Sequence, residues 1–366
     1  MTDIPPSATY PLLGLMSGSS LDGLDIAACL LKVEHGSWSY AIEAAATYPF
    51  PDNLRALLQE AGGRRTDYEV AAADRELGAF TADSIRAFLA AYNVTPPLWI
   101  AQHGHTLVHA PAEGYSLQIG NAELIARATG IPVVSDFRNA DIAAGGQGAP
   151  LVPICDALLF SDYAVCLNIG GIANISFVRQ GERIGYDVCP ANQLLNFLAG
   201  KVALPYDAEG SMARSGHINQ GLLEALEQQP YYRLPAPKSL DNTYVQQHFI
   251  ALLEEYDIPL NDALRTCTEQ IAMRISSSLQ AAGAGSNDRI LVSGGGAWNT
   301  FLIERIQHLS GIPITLPESN IIAFKEALAM ALMAALYMRK ENNCLPSVTG
   351  ARYAVSGGNL QLPEHL

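Results

Sequence analysis

The chain has 366 residues, 49% hydrophobic and 16% charged, enough apolar side chain for two cores at about 100 to 200 residues per domain. That composition excludes disorder as the main state. With 22 Lys and Arg against 36 Asp and Glu, the net charge of −14 repels phosphate backbones and acidic lipid, so neither nucleic acid nor a membrane is expected as a partner.

Residues 10–16 and 24–32 are apolar runs flanking a polar, Gly-containing stretch, which predicts strand, turn, strand, and residues 39–48 add a third strand. Helices are expected over 52–62 and 68–92, the second with Leu77, Phe80, Ile85, Phe88 and Leu89 at helical spacing. Strands return at 99–102, 115–119 and 131–134, with a helix over 121–129 closed by Gly130. From residue 163 the opening pattern restarts as strand, Gly-rich turn, strand, turn, strand. Helices follow over 192–201, 218–228, 243–256 and 260–282, then a strand at 289–293, a helix over 299–309 and a strand at 312–315. The apolar stretch 327–338 is shorter than the roughly 20 residues of a bilayer span and follows Lys325 and Glu326, so it reads as part of a buried helix over 324–340.

Two βββαβα units predict an α/β chain of two lobes with a cleft between them, residues 1–134 with 345–366 forming the first and 135–344 the second. The N-terminus has an acidic residue and prolines where a signal peptide would carry a basic and then an apolar region, so a cytoplasmic location is expected. Six cysteines without a C-x-x-C pair suit buried free thiols.

Three Gly-rich turns follow apolar strands, at 17–23, 168–174 and 293–299. Glycine lets backbone N–H groups approach an anion, so such turns can cradle phosphate, although each alone could be an ordinary connection. Neither G-x-x-x-x-G-K-[ST] nor G-x-G-x-x-G is present, and a nucleotide clamped between two lobes accounts better for three such turns. Asp22 and Asp25 sit where a carboxylate can hold magnesium through water, with backbone bonding in the turn as the alternative.

Asp187 could be a general base or the N-cap of the following helix, for which Asn192 is better placed. Arg138 and Asp141 lie on a long Gly-rich connection and could bind a ligand or brace the loop as a pair. His103, His105 and His109 suit polar lining of a cleft better than a metal site. Cys189 is by default a buried thiol, and Glu326 favours the start of its helix.

The stretches 14–25, 135–153, 168–174 and 293–299, with His103-Gly104, Gln118-Ile119-Gly120-Asn121, Lys325-Glu326-Ala327 and the tail 345–351, resemble the anhydro-N-acetylmuramic acid kinases, and the match runs nearly end to end. The resemblance implies an α/β fold of two actin-like, ribonuclease H-like lobes with an interlobe nucleotide cleft. It implies an ATP- and magnesium-dependent kinase of cell-wall recycling, and a homodimer. The segment Gly18, Ser19, Ser20, Leu21, Asp22, Gly23, Leu24 and Asp25 would bind ATP, together with Gly170, Gly171, Gly295, Gly296 and Asn299; magnesium would sit at Asp22 through water. Asp187 would activate water, and His103, Arg138, Asp141 and Glu326 would face the sugar. The chain departs from the family at Ser19, at His105, at Cys189 to Ala191, and at Leu240 to Thr243. A kinase for a related amino sugar, or a nucleotide-binding protein without catalysis, are the alternatives to be tested.

Overall fold

Strand-forming runs at the start of the chain pair locally because short polar turns separate them. In the computed structural model, which describes residues 5–18, 21–61, 66–236 and 238–363, β1 (Ser7–Met16), β2 (Gly23–Glu34) and β3 (Ser37–Pro49) form an antiparallel meander. The next strands, β4 (Trp99–Gln102) and β7 (Val133–Ser135), lie parallel beyond β1, giving a six-stranded sheet of order β12-β7-β4-β1-β2-β3 with β12 (Asn359–Gln361) on its edge. A separate hairpin, β5 (His105–Ala110) and β6 (Tyr115–Ile119), stands beside it.

The second half repeats the plan. Here β8 (Val165–Ile169), β9 (Ile172–Arg179) and β10 (Glu182–Pro190) form the meander, and β11 (Ile290–Ser293) runs parallel to β8, in the order β10-β9-β8-β11. The expected duplication is therefore present as topology, and the chain is an α/β protein of two units with the strand order of actin-like lobes.

The units are residues Met1–Leu159 with Phe324–Leu366, and Phe160–Ala323, so the boundaries differ from the expected 134/135 and 344/345. Residues 135–159 stay with the first unit because the C-terminal segment holds them there: β12 pairs with β7, and Thr349 donates to Asp141 and accepts from the Gln147 N–H. The helix Ser319–Met338 brings the chain back. Gly14 of β1 lies so close beneath it that a Cβ there would stand 1.8 Å from the Ala327 carbonyl oxygen. A buried ion pair of 2.6 Å between Asp156 and Lys325 ties the points where the chain leaves and re-enters this unit. Among the described residues Ser319–Met338 is the one helix long and apolar enough to cross a membrane, and with 72% of its apolar window buried inside the fold it is a core helix.

Three sequence expectations change in detail. Residues 312–315 form no strand, since Pro313 offers no N–H to a ladder. The helix expected over 243–256 is present over 242–254 and contains a π-turn, Gln246–Ile250. The helix Asn192–Gly200 has Ala191 at its N-cap with no side-chain bond, so neither Asp187 nor Asn192 caps it. The six cysteines are free and buried.

Candidate active site

The first Gly-rich turn connects β1 to β2. Ser17 is buried and its hydroxyl has no partner among the described residues, while Leu21 is held at φ 57 with its N–H donated to the Gly18 carbonyl at 3.4 Å. A left-handed Leu is strained, as expected of a functional turn. Gly23 is required by the close approach of β3, because a Cβ there would meet the Tyr48 carbonyl at 2.4 Å. Asp22 is exposed, and Asp25 accepts the Thr47 hydroxyl at 2.5 Å. Burial raises the Asp25 carboxyl above its ordinary range, with the Thr47 bond opposing and the nearby Asp22 adding to the rise. Leu21 and Leu24 are core residues, so only their backbone is offered to a ligand. Ser19 and Ser20 lie outside the described residues.

A second group in the same unit gathers at the ends of β4, β6 and β7. Arg138 donates to the Gly148 carbonyl and to His103 Nε2, both at 2.7 Å. Arginine only donates, so Nε2 carries the lone pair and Nδ1–H donates to the Gly104 carbonyl at 2.8 Å. Burial, followed by the Arg138 charge, pushes His103 down to about 3, which keeps the ring neutral. Burial lowers Arg138 to about 10, and the Glu326 charge works against that loss. Asp141, fully buried, accepts Gly148 N–H on Oδ2 and Thr349 Oγ1 on Oδ1, each at 2.8 Å. It therefore braces the loop that holds Arg138, without pairing to Arg138 itself.

Beside this group is a cavity of about 330 Å³ lined by Gln102, His103, Gln118, Ser135, Asp136 and Asn139 among others. The Gln102 amide donates to the Gly120 carbonyl at 2.7 Å, and among the described residues its buried Oε1 and that of Gln118 have no partner. Such a cavity suits a ligand rich in hydroxyl and amide donors. His105 and His109 are lowered by burial, and among the described residues no group of three ligating side chains could hold a metal.

In the second unit Asn168 and Ser293 are paired on the adjacent parallel strands β8 and β11, so the turns after them lie side by side. A Cβ on Gly170 would meet the Ile172 carbonyl oxygen at 3.5 Å and one on Gly295 would meet Asn192 Nδ2 at 3.8 Å, ordinary packing contacts with no clash. Gly171 carries the start of the next helix through its carbonyl, which accepts from Ala191 and Gln193. Gly296 packs on Ile169, and Asn299 caps the helix Thr300–Ser310 through Leu302 N–H. Asp187 of β10 is half-buried. Its Oδ2 accepts Leu240 N–H at 2.8 Å, its backbone carbonyl accepts Tyr231 Oη at 2.5 Å, and its Oδ1 has no partner among the described residues. Burial raises its carboxyl to about 6, the Leu240 bond opposing. Cys189, two residues on, is fully buried and its thiol is pushed far up, which suits packing and not attack.

The sequence marked the turns and the charged residues. It did not single out Ser17, Gln102 or Gln118 as site residues, because an uncharged side chain is notable only once its burial and missing partner are visible.

Two α/β units of one topology, with Gly-rich turns after their first strands, make up a fold of the actin-like class, and the second unit carries a half-open carboxylate. A model of the anhydro-N-acetylmuramic acid kinase family matches residues 10–362. The chain is 38% identical to a protein of that name from Sulfurovum sp. (strain NBC37-1), covering 94% of this chain and 98% of the relative. It is 35% identical to one from Vibrio cholerae serotype O1, covering 96% and 98%. A third, from Saccharophagus degradans, is 37% identical over 94% of this chain and 97% of the relative. Among solved structures it is similar to the activator of the 2-hydroxyisocaproyl-CoA dehydratase from Clostridium difficile with bound ADPNP, at 13% identity, TM-score 0.41, and 92% and 99% coverage. So distant a likeness adds nothing to the assignment. The chain belongs to the anhydro-N-acetylmuramic acid kinase family.

Proposed function

We propose that this enzyme opens the 1,6-anhydro ring of anhydro-N-acetylmuramic acid with water and phosphorylates the freed 6-oxygen from ATP, giving N-acetylmuramic acid 6-phosphate and ADP in cell-wall recycling. The observation that carries the reading is Asp187. One oxygen is fixed by a backbone N–H and the other is open, and burial brings the group to about 6, near the pH at which a base must work.

Asp187 takes a proton from water as the water oxygen bonds to the anomeric carbon. The bond from that carbon to the bridging oxygen breaks with its electron pair left on the 6-oxygen, which attacks the γ-phosphorus and displaces ADP. Arg138, held by Gly148 and neutral His103, presents its charge to the sugar with Glu326. The acceptor-lined cavity beside them takes hydroxyl and amide groups of the same ligand.

The residues also fit a magnesium nucleotide. The Ser17 hydroxyl is buried without a partner among the described residues at the first turn, and Gly170 and Gly295 carry no side chain to keep a phosphate from the backbone. Residues 18–25 would hold the phosphates, Gly170, Gly171, Gly295, Gly296 and Asn299 the rest of the nucleotide, and Asp22 magnesium through water. Bound magnesium supplies charge neutralisation at the phosphates. A reaction that consumes ATP belongs in the cytoplasm, and the family resemblance implies a homodimer as its working form.

The test is ADP release with anhydro-N-acetylmuramic acid, with open-ring N-acetylmuramic acid and N-acetylglucosamine alongside. Stimulation by the anhydro sugar is expected. Stimulation by the open-ring sugars alone, or by none, overturns the reading.

A further inference from the structure

Asp187 does not stand alone on its sheet. The ladder register places Asn174 of β9 directly opposite Asp187, and Asn168 of β8 directly opposite Asn174. Ser293 of β11 continues the row, its hydroxyl donating to Asn168 Oδ1 at 3.2 Å. A polar row thus crosses all four strands of the second unit.

The row lies on the face turned away from that unit's core. On β9 the core takes Ala173, Ile175 and Phe177, and on β8 it takes Val165, Leu167 and Ile169, so Asn174 and Asn168 point the other way. Asn is depleted from strands, where β-branched residues pack better, and two Asn side by side on a sheet break a local rule without a packing gain. Asn168 has a use in the Ser293 bond. The Asn174 side chain makes no hydrogen bond among the described residues, and it is half-buried with its amide still reached by solvent.

Directly opposed residues of an antiparallel pair have Cβ atoms about 4.5 to 5.5 Å apart. At that spacing one water can touch an amide and a carboxylate oxygen together. We propose that Asn174 is a catalytic residue of the ring-opening step, its side-chain amide and Asp187 Oδ1 gripping the attacking water between them. Asp187 Oδ1 accepts one O–H. The Asn174 amide takes the second O–H on its carbonyl oxygen, or donates to one lone pair, and so aims the remaining lone pair at the anomeric carbon. The proton still leaves to Asp187, and Asn174 ends the step unchanged. Orientation of this kind lowers the entropic part of the barrier.

The inference rests on the reading of Asp187 as the base, so Asp187→Asn is assayed beside Asn174→Ala and Asn174→Asp. Asn174→Ala should lower kcat with the anhydro sugar by roughly 10 to 100-fold while leaving the KM for ATP and the melting temperature close to the parent's. Asn174→Asp sets a second carboxylate beside the base and should move the acidic limb of the kcat/KM profile to higher pH, which a merely structural Asn would not do. If Asn174→Ala turns over at the parent rate, or if the Asn174→Asp limb stays in place, the assignment of Asn174 falls while that of Asp187 stands. If Asp187→Asn is fully active, both fall.

Discussion

Asp141 and Asp187 are two buried or half-buried carboxylates, one in each unit, each beside a Gly-rich segment. Asp141 spends both oxygens on its own chain, on Gly148 N–H and on the Thr349 hydroxyl. Asp187 spends one, on Leu240 N–H, and keeps the other. A carboxylate whose acceptors are all satisfied internally shapes a loop. One left half-open in a low-dielectric setting has its proton affinity raised and a lone pair to offer, which is what proton transfer from water demands.

The largest effect expected from this contrast is on turnover. Asp187→Asn should lower kcat by about 10² to 10⁴-fold with the ATP affinity nearly unchanged. The same variant should gain stability at neutral pH. The folded carboxyl, raised to about 6 from 3.8, binds its proton more tightly than the unfolded chain does. Its contribution is therefore full below the unfolded value and is lost as pH rises through about 6. Removing the charge recovers about 1 kcal/mol at pH 8, after allowing for partial solvent exposure. Thermal melts from pH 4 to pH 8 check this, with the gain growing between pH 4 and about 6 and level above it.

Asp141→Ala should do the reverse. It leaves the buried Gly148 N–H and Thr349 hydroxyl without acceptors and should cost about 3 kcal/mol of stability, read by denaturant unfolding. Because Gly148 also holds Arg138, the KM for the sugar should rise more than the KM for ATP. An unchanged unfolding midpoint would dissolve the contrast between the two carboxylates.

A third effect is smaller and needs no substitution. The base must be ionised, so kcat/KM should fall about tenfold per unit below pH 6 and level off above it. His103, held down to about 3 by burial and Arg138, should contribute no inflection near its ordinary value. A limb at pH 4 in the parent enzyme would place the base elsewhere.

The smallest effect concerns the first turn. Magnesium ATP should raise the melting temperature of the parent, and Asp22→Ala should remove about 1 kcal/mol of that stabilisation, since a ligand that binds only the folded state acts by mass action. The exposed Asp22 carboxylate has no structural bond to lose through its side chain among the described residues, so the melting temperature without nucleotide should hold.

Chain order and periodicity alone told that strands and helices alternate in two similar halves, that 17–23, 168–174 and 293–299 are Gly-rich turns, and that Asp187 belongs to the end of a strand. These are local properties, set by side-chain alternation and by the backbone freedom of glycine. Only the tertiary structure decided which carboxylate is satisfied and which is open, since Asp141 finds Thr349 and Asp187 finds Leu240 far along the chain. It also carried residues 135–159 into the first unit, left 312–315 without a strand, and set Asn174 across from Asp187. Burial and hydrogen-bond partnership are sums over neighbours distant in sequence, and a one-dimensional pattern does not contain them.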